Sequence, residues 1–170
     1  MKIDLSDYFV GNEEIHFISG KVESNLTDID FDEFKIIKPI LYTGEIYKVG
    51  YSYIINIDIS FKYKSKCARC LQSTTKAMEI GLNAKLEKDS NKSRSDEGDL
   101  DIIYLENNIL DLDKYILMEI ASALPMRVLC NEECKGICPQ CGKNLNKGSC
   151  DCEIENIDPR FEKLKDLFTD

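Results

Sequence analysis

The sequence predicts an α+β fold: a mostly antiparallel β-sheet or small barrel, one packed helix, and a C-terminal cysteine-rich tail. Three observations lead there. Residues 51–63 alternate apolar and polar side chains with a period of two, and residues 76–86 repeat the alternation. Residues 111–124 instead carry an apolar stripe at helical spacing that stops at a proline. Six of the eight cysteines then crowd into residues 130–152.

Taken in order, residues 15–23 form a weak strand candidate. The stretch Ile40–Ile46 puts Ile40, Tyr42 and Ile46 on one side, with Gly44 between. In residues 51–63, Tyr51, Tyr53, Ile55, Ile57, Ile59, Phe61 and Tyr63 share one face, as in an antiparallel strand with a single buried side. Met78, Ile80, Leu82, Ala84 and Leu86 mark the next strand. Residues 87–100 are polar and aperiodic and read as a surface loop. A short strand, Ile102 to Leu105, precedes the helix. Asp111 is its expected N-cap, Leu112, Tyr115, Ile116, Ile120, Ala123 and Leu124 its apolar stripe, and Pro125 its end, since proline lacks the N–H the ladder needs. This helix is expected to pack on the open face of the sheet. A second helix is expected from Asp158-Pro159, with Phe161, Leu164, Leu167 and Phe168 on one face. A helix that short needs a docking surface. The chain thus divides into a β-rich domain, 1–125, and a cysteine-rich tail with terminal helix, 126–170.

The composition is that of a globular protein, with 43% hydrophobic and 31% charged residues. The net charge of −9 repels phosphate backbones and suits a basic protein partner better than naked RNA or an anionic membrane. Asp4 and Asp7 fall where a signal peptide needs its apolar core, and no stretch reaches the ~20 apolar residues of a membrane span. A cytoplasmic protein without a membrane partner is expected. Stable disulfides are uncommon there, which shifts the cysteines toward metal.

Cys138-Pro-Gln-Cys141-Gly142 has the form of a zinc knuckle: two thiolates two residues apart, followed by a glycine free to aim its amide at a sulfur. Cys150-Asp-Cys152 can close a zinc-ribbon-like site. Cys67-Ala-Arg-Cys70 falls between two strands, at a hairpin tip, with no helix behind it to activate a redox thiol. Its two missing ligands are supplied by Cys130 and Cys134 if the segment after the helix returns to that tip. The preferred partition is two structural zinc sites, Cys67/Cys70/Cys130/Cys134 and Cys138/Cys141/Cys150/Cys152. A rival partition joins Cys134, Cys138 and Cys141 with Cys150 or Cys152 in one tail site. Iron–sulfur ligation fits less well, because the spacings match neither ferredoxin pattern. No P-loop, dinucleotide fingerprint, nucleophile elbow or H-E-x-x-H motif occurs, and the single histidine, His16, reads as structural. Four-thiolate zinc is closed to substrate. No enzyme activity and no small-molecule substrate are expected.

Cys67-Ala-Arg-Cys70-Leu71 after a strand, Leu124-Pro125-Met126 ending a helix, the run from Cys134 to Asn146, and Asp158-Pro159-Arg160-Phe161 together resemble the YceD family of large ribosomal RNA subunit accumulation proteins. The resemblance spans residues 67–168. It implies a part in 23S ribosomal RNA accumulation during large-subunit assembly, with a basic large-subunit ribosomal protein or precursor 23S rRNA as partner. An acidic assembly factor acting through protein contacts is the leading expectation. The alternative is a zinc-dependent RNA-binding tail, using Arg127, Lys135, Lys143 and Lys147 with Arg69 nearby, whose charge Glu132, Glu133 and Asp151 offset. Thiol redox chemistry is a third class.

Overall fold

The computed structural model describes residues 2–11, 14–22, 33–88 and 101–152. The expected terminal helix and most of the polar loop lie outside these residues. The elements are β1 (Lys2–Asp4), α1 (Ser6–Val10), β2 (Ile15–Lys21), β3 (Lys35–Val49), β4 (Ser52–Lys66), β5 (Ser73–Lys88), β6 (Asp101–Leu105), β7 (Ile109–Asp111) and α2 (Leu112–Ala123).

Five strands form one sheet in the order β2-β3-β4-β5-β6, and β1 pairs with β7 in a separate two-stranded ribbon. The first four strands of the large sheet are antiparallel neighbours. The last pair, β5 with β6, runs parallel. An alternation pattern cannot reveal that direction, because burial of one face is the same either way. β3, β4 and β5 run 15 or 16 residues each, well beyond the stretches whose alternation is clearest.

The period-two reading holds along most of β4 and β5. Ile55, Ile57, Ile59, Phe61 and Tyr63 are buried, as are Leu82, Ala84 and Leu86, while Met78 and Ile80 pack against the core from a half-buried position. Tyr51 is the correction: it is fully exposed. Gly50 and Tyr51 are the two central residues of the β3–β4 turn, in which Val49 faces Ser52. Only Gly50 has positive φ, +60°, the pattern of a type II′ hairpin. The turn takes Tyr51 out of the pleat, and the buried face begins beyond it.

α2 stops before Pro125 as expected, and Leu112, Ile116 and Ile120 are fully buried. Leu117 is buried too, whereas Ala123 and Leu124 are only half-buried, so the stripe is rotated toward Leu117. Asp111 occupies the N-cap position without donating or accepting a side-chain capping bond. The first-turn carboxylate of Asp113 instead sits where the helix dipole favours negative charge. No helix among the described residues is long and apolar enough to cross a membrane.

β1, α1 and β7 are too short to leave a periodic signature, yet they close one side of the core. Leu5 and Leu110 are completely buried. The Tyr8 hydroxyl donates to the carbonyl of Ile46 at 3.0 Å, fastening α1 across β3. Phe9 packs edge-on against Tyr53 with ring centroids 4.5 Å apart, and His16 lies 5.2 Å from the Tyr8 ring. His16 therefore packs within an aromatic cluster.

Gly44 has a packing reason to be glycine. A Cβ built there would lie 2.1 Å from the backbone oxygen of Asn56 on β4. Backbone cannot swing aside as a side chain can. Gly44→Ala is expected to cost about 3 kcal/mol, the upper end of the overpacking range, read as a lower denaturant midpoint in equilibrium unfolding.

Candidate metal centre

The eight cysteines fall into two clusters: Cys67, Cys70, Cys130 and Cys134, and Cys138, Cys141, Cys150 and Cys152. Within each, every Sγ lies within 4.8 Å of the other three. All eight are free thiols. In the first cluster the Cys67 and Cys134 sulfurs are 3.8 Å apart and those of Cys70 and Cys130 3.6 Å. Sulfurs at ~2.3 Å from a central tetrahedral zinc are separated by about 3.8 Å, so the spacing fits a cation of that size. The rival grouping of Cys134 with the tail cysteines does not form.

The first cluster joins two distant segments. β4 ends at Lys66 and β5 starts at Ser73, and Cys67–Cys70 make the tip between them. The segment after α2 returns to this tip. The Ala68 amide donates to the Val128 carbonyl at 2.8 Å, Arg69 Nη1 to the Cys134 carbonyl at 3.0 Å, and Lys76 Nζ to the Cys130 carbonyl at 3.5 Å. Cys67, Cys70 and Cys134 are buried, with Leu129 and Cys130 packed against them in a small cluster separate from the sheet core. Gly136 (φ +78°) passes so close to Arg69 that an added Cβ would meet its carbonyl oxygen at 3.2 Å.

Both clusters are built on the same local turn. The Cys67 amide donates to the Gln72 carbonyl and the Leu71 amide to the Cys67 carbonyl, each at 2.9 Å. In the second cluster the Cys138 amide donates to the Lys143 carbonyl at 2.8 Å and the Gly142 amide to the Cys138 carbonyl at 2.9 Å. The offsets along the chain are identical. Gly142 takes φ +72°, which glycine adopts freely. Leu71 stands in the equivalent place with φ +59° and an exposed side chain, a conformation that costs a Cβ-bearing residue ~1–2 kcal/mol.

The turns aim amides at sulfur. Burial alone pushes the Cys67 thiol up, but the backbone amides of Cys70, Cys130 and Arg69 outweigh it and bring its pKa down to about 6. The amides of Cys141 and Gln140 hold Cys138 down to about 6 against burial. Cys130 is pushed up to about 12, first by Cys134 and Cys70 and then by burial, and Cys152 to about 12 by Cys141 and then by burial. Sulfurs this close cannot all ionise unaided, and a shared cation removes the conflict. Either four-cysteine cluster can hold a metal ion.

Asn146 connects the clusters, a link the spacing of the cysteines does not disclose. It lies in the loop between Cys141 and Cys150, yet its Nδ2 donates to Cys134 Sγ of the first cluster at 3.3 Å. Its Oδ1 accepts from the Lys135 amide at 2.9 Å, and the Leu145 amide donates to the Gly136 carbonyl at 3.0 Å. The only hint in the sequence is the pair of asparagines, Asn144 and Asn146, whose side chains readily bond nearby backbone. Lys143 Nζ is also committed, bonding the Ser149 carbonyl. The tail is less buried than the first site, with Cys141 exposed.

Two outcomes follow. Asn146→Ala is expected to weaken metal retention by the first cluster about tenfold or more, as loss of an outer-sphere hydrogen bond does, while the second cluster retains its metal. Cadmium NMR, which resolves the two sites as separate resonances, measures this under chelator competition. The second outcome concerns pH. Cys67 and Cys138 ionise near 6 in the folded chain against an ordinary 9.0, so the stability they contribute is complete above about 9 and lost as pH falls through 6. Protons also compete for Cys130 and Cys152, whose thiols are pushed up to about 12, so metal on either cluster is expected to be released progressively as the solution is acidified, followed with a chromophoric chelator. Retention that does not change between about pH 8 and 5 contradicts the cradle described here.

The chain was compared with known proteins. The family model described as large ribosomal RNA subunit accumulation protein YceD matches residues 55–168, which include both cysteine clusters. An uncharacterized protein of Mycobacterium bovis is 30% identical over 104 residues, covering 61% of this chain and 49% of the relative. The chain thus spans about half the length of the mycobacterial relatives it matches. Plant relatives named large ribosomal RNA subunit accumulation protein YCED homolog 1, chloroplastic, are 36% identical over 58 residues in Arabidopsis thaliana and 39% over 60 in Zea mays. These cover 34% and 35% of this chain and 18% and 20% of the plant proteins. No solved structure matches. With two thirds of its length inside the family match, the chain belongs to the YceD family of large ribosomal RNA subunit accumulation proteins.

Proposed function

We propose that this protein is a non-enzymatic, cytoplasmic assembly factor that supports accumulation of 23S ribosomal RNA during large-subunit assembly. In this reading two zinc ions hold it in shape, one on Cys67, Cys70, Cys130 and Cys134 and one on Cys138, Cys141, Cys150 and Cys152. The observation that carries it is the pair of four-sulfur clusters, each with its sulfurs within 4.8 Å of one another, inside the region matched by the family. Four-thiolate coordination prefers zinc among abundant divalent ions and offers no open position for substrate. The chemistry is then structural. The tail from residue 126 onward acts as a zinc-ribbon-like module that the first metal clips to the β-rich part of the chain. Zinc bound this way contributes on the order of 10 kcal/mol in small modules near neutral pH, ample to hold the returning segment on the hairpin tip.

Partners are a basic large-subunit ribosomal protein, precursor 23S rRNA, or both. The acidic balance of −9 favours a basic protein, and each four-thiolate zinc adds further negative charge. Protein contacts of this kind weaken as salt rises. No small-molecule substrate and no membrane enter the reading.

Depletion of the protein from its host is expected to lower 23S relative to 16S rRNA and to leave incomplete large subunits, measured by RNA quantification and gradient sedimentation. Restoration by the wild-type chain but not by a Cys67→Ser/Cys70→Ser variant ties the effect to the first site. Unchanged 23S levels on depletion overturn the assignment.

A further inference from the structure

The outward face of the sheet is charge-sorted along its length. On β4, Lys62, Lys64 and Lys66 are exposed and alternate with buried Phe61, Tyr63 and Ser65, so all three project from the same face. Alternate positions on a strand recur every ~6.7 Å, comparable with successive phosphates of an extended nucleic-acid strand. On the neighbouring strand Lys35 is directly opposite Lys64. Like charges placed opposite one another destabilise a sheet, and no residue directly opposite these lysines carries an offsetting charge. Lys62, Lys64 and Lys66 face Ala77, Thr75 and Ser73 on β5, and Lys62 faces Ile37 on β3. Among the described residues no carboxylate lies within ion-pair distance of these four lysines.

Two further features define what the stripe can take. Beside Lys62 the register of β3 shifts between Ile37 and Leu41, and there a hollow of about 440 Å³ opens, lined by the apolar Ile37, Pro39, Leu41, Ala77 and Met78, with Lys62 and Glu79 also on its wall. A row of cations beside an apolar hollow on an open sheet suits a strand whose bases are unstacked: phosphates on the lysines, a base in the hollow. Glu79 lies at the boundary, shared by this hollow and the next cleft, and farther along the same face Glu45 and Asp58 replace the lysines, lining shallow clefts with Asn56 and Asn83. That half repels phosphate and confines the track to the end next to the first cysteine cluster. A net charge of −9 averages over this separation.

We propose that Lys35, Lys62, Lys64 and Lys66 form a docking track for the phosphate backbone of single-stranded RNA. This deepens the assembly reading and rests on it for its biological setting.

The test uses the full, metal-loaded chain and a labelled single-stranded oligouridylate at low ionic strength. Lys62→Glu/Lys64→Glu/Lys66→Glu is compared with a control of equal charge change away from the track and the cysteine tail, Lys2→Glu/Lys48→Glu/Lys114→Glu. The track variant is expected to lose affinity about tenfold or more beyond the control, with the salt slope falling by about two, at ~0.7 per phosphate contact for a single strand. Circular dichroism and melting confirm that each variant folds, and the corresponding triple Lys→Gln change replaces the reversal if it does not. Equal losses in track and control variants, or no RNA binding by the wild-type chain, overturn the proposal, as does unchanged RNA binding accompanied by loss of an acidic protein partner. In cells the two readings separate. If depletion lowers 23S rRNA and the track variant restores it fully, the assembly reading stands and the track falls. If depletion changes nothing, the assembly reading falls while the binding assay still decides the track.

Discussion

Four sulfurs from two segments far apart in the chain meet in one buried pocket, and that meeting seats the segment after Pro125 on the hairpin tip. Thiolates within 4.8 Å of one another would repel strongly, and hydrogen-bond donors, protonation or a shared cation can offset that charge. Backbone amides supply part of the offset at Cys67, and the Asn146 side chain supplies more at Cys134. The hydrogen bonds from Ala68, Arg69 and Lys76 to carbonyls of the returning segment then set its orientation on the hairpin tip. Because this pocket packs apart from the main core, it acts as a clip on a folded sheet rather than as part of the sheet's own interior.

The same cysteine turn serves two different purposes. At Cys138–Cys141 it is local: the four sulfurs come from one short stretch, the left-handed position is a glycine, and the cluster is partly open to solvent. At Cys67–Cys70 the turn is the tip of a long hairpin, its partners arrive from beyond α2, and a leucine holds the left-handed position. The strained, exposed Leu71 is compatible with a turn stabilised from outside, by the returning segment, more than by its own conformational preference. Asn146 makes the first cluster depend on the second loop, since displacing that loop removes a donor from Cys134.

The long β3–β4–β5 meander carries that tip away from the aromatic cluster around Tyr8, Phe9 and Tyr53 at the opposite end. Its inner face is filled by Ile46, Ile55, Ile59 and the α2 residues Ile116 and Ile120. Its outer face has lysines toward the cysteine end and carboxylates toward the middle. Net charge alone therefore describes this surface poorly, because each strand's alternation exposes its own sequence of charges and pairing places them side by side.

Alternation and spacing carried much of this in the sequence itself. Ile55, Ile57 and Ile59 on β4, Leu82 and Ala84 on β5, and the end of α2 at Pro125 were legible because single-face burial imposes a period and proline breaks a ladder. The Cys-x-x-Cys pairs were legible because a two-residue gap lets two sulfurs face one ion. Tyr51 misled because a turn interrupts the pleat without changing the apolar pattern, and β1, α1 and β7 were invisible because a few residues hold no period. The pairing of Cys67 and Cys70 with Cys130 and Cys134, the parallel approach of β6, the reach of Asn146 to Cys134 and the lysines opposed across β3 and β4 were decided only by tertiary structure. Local chemistry sets what each residue can bond to, but which distant partner arrives depends on how the chain closes on itself.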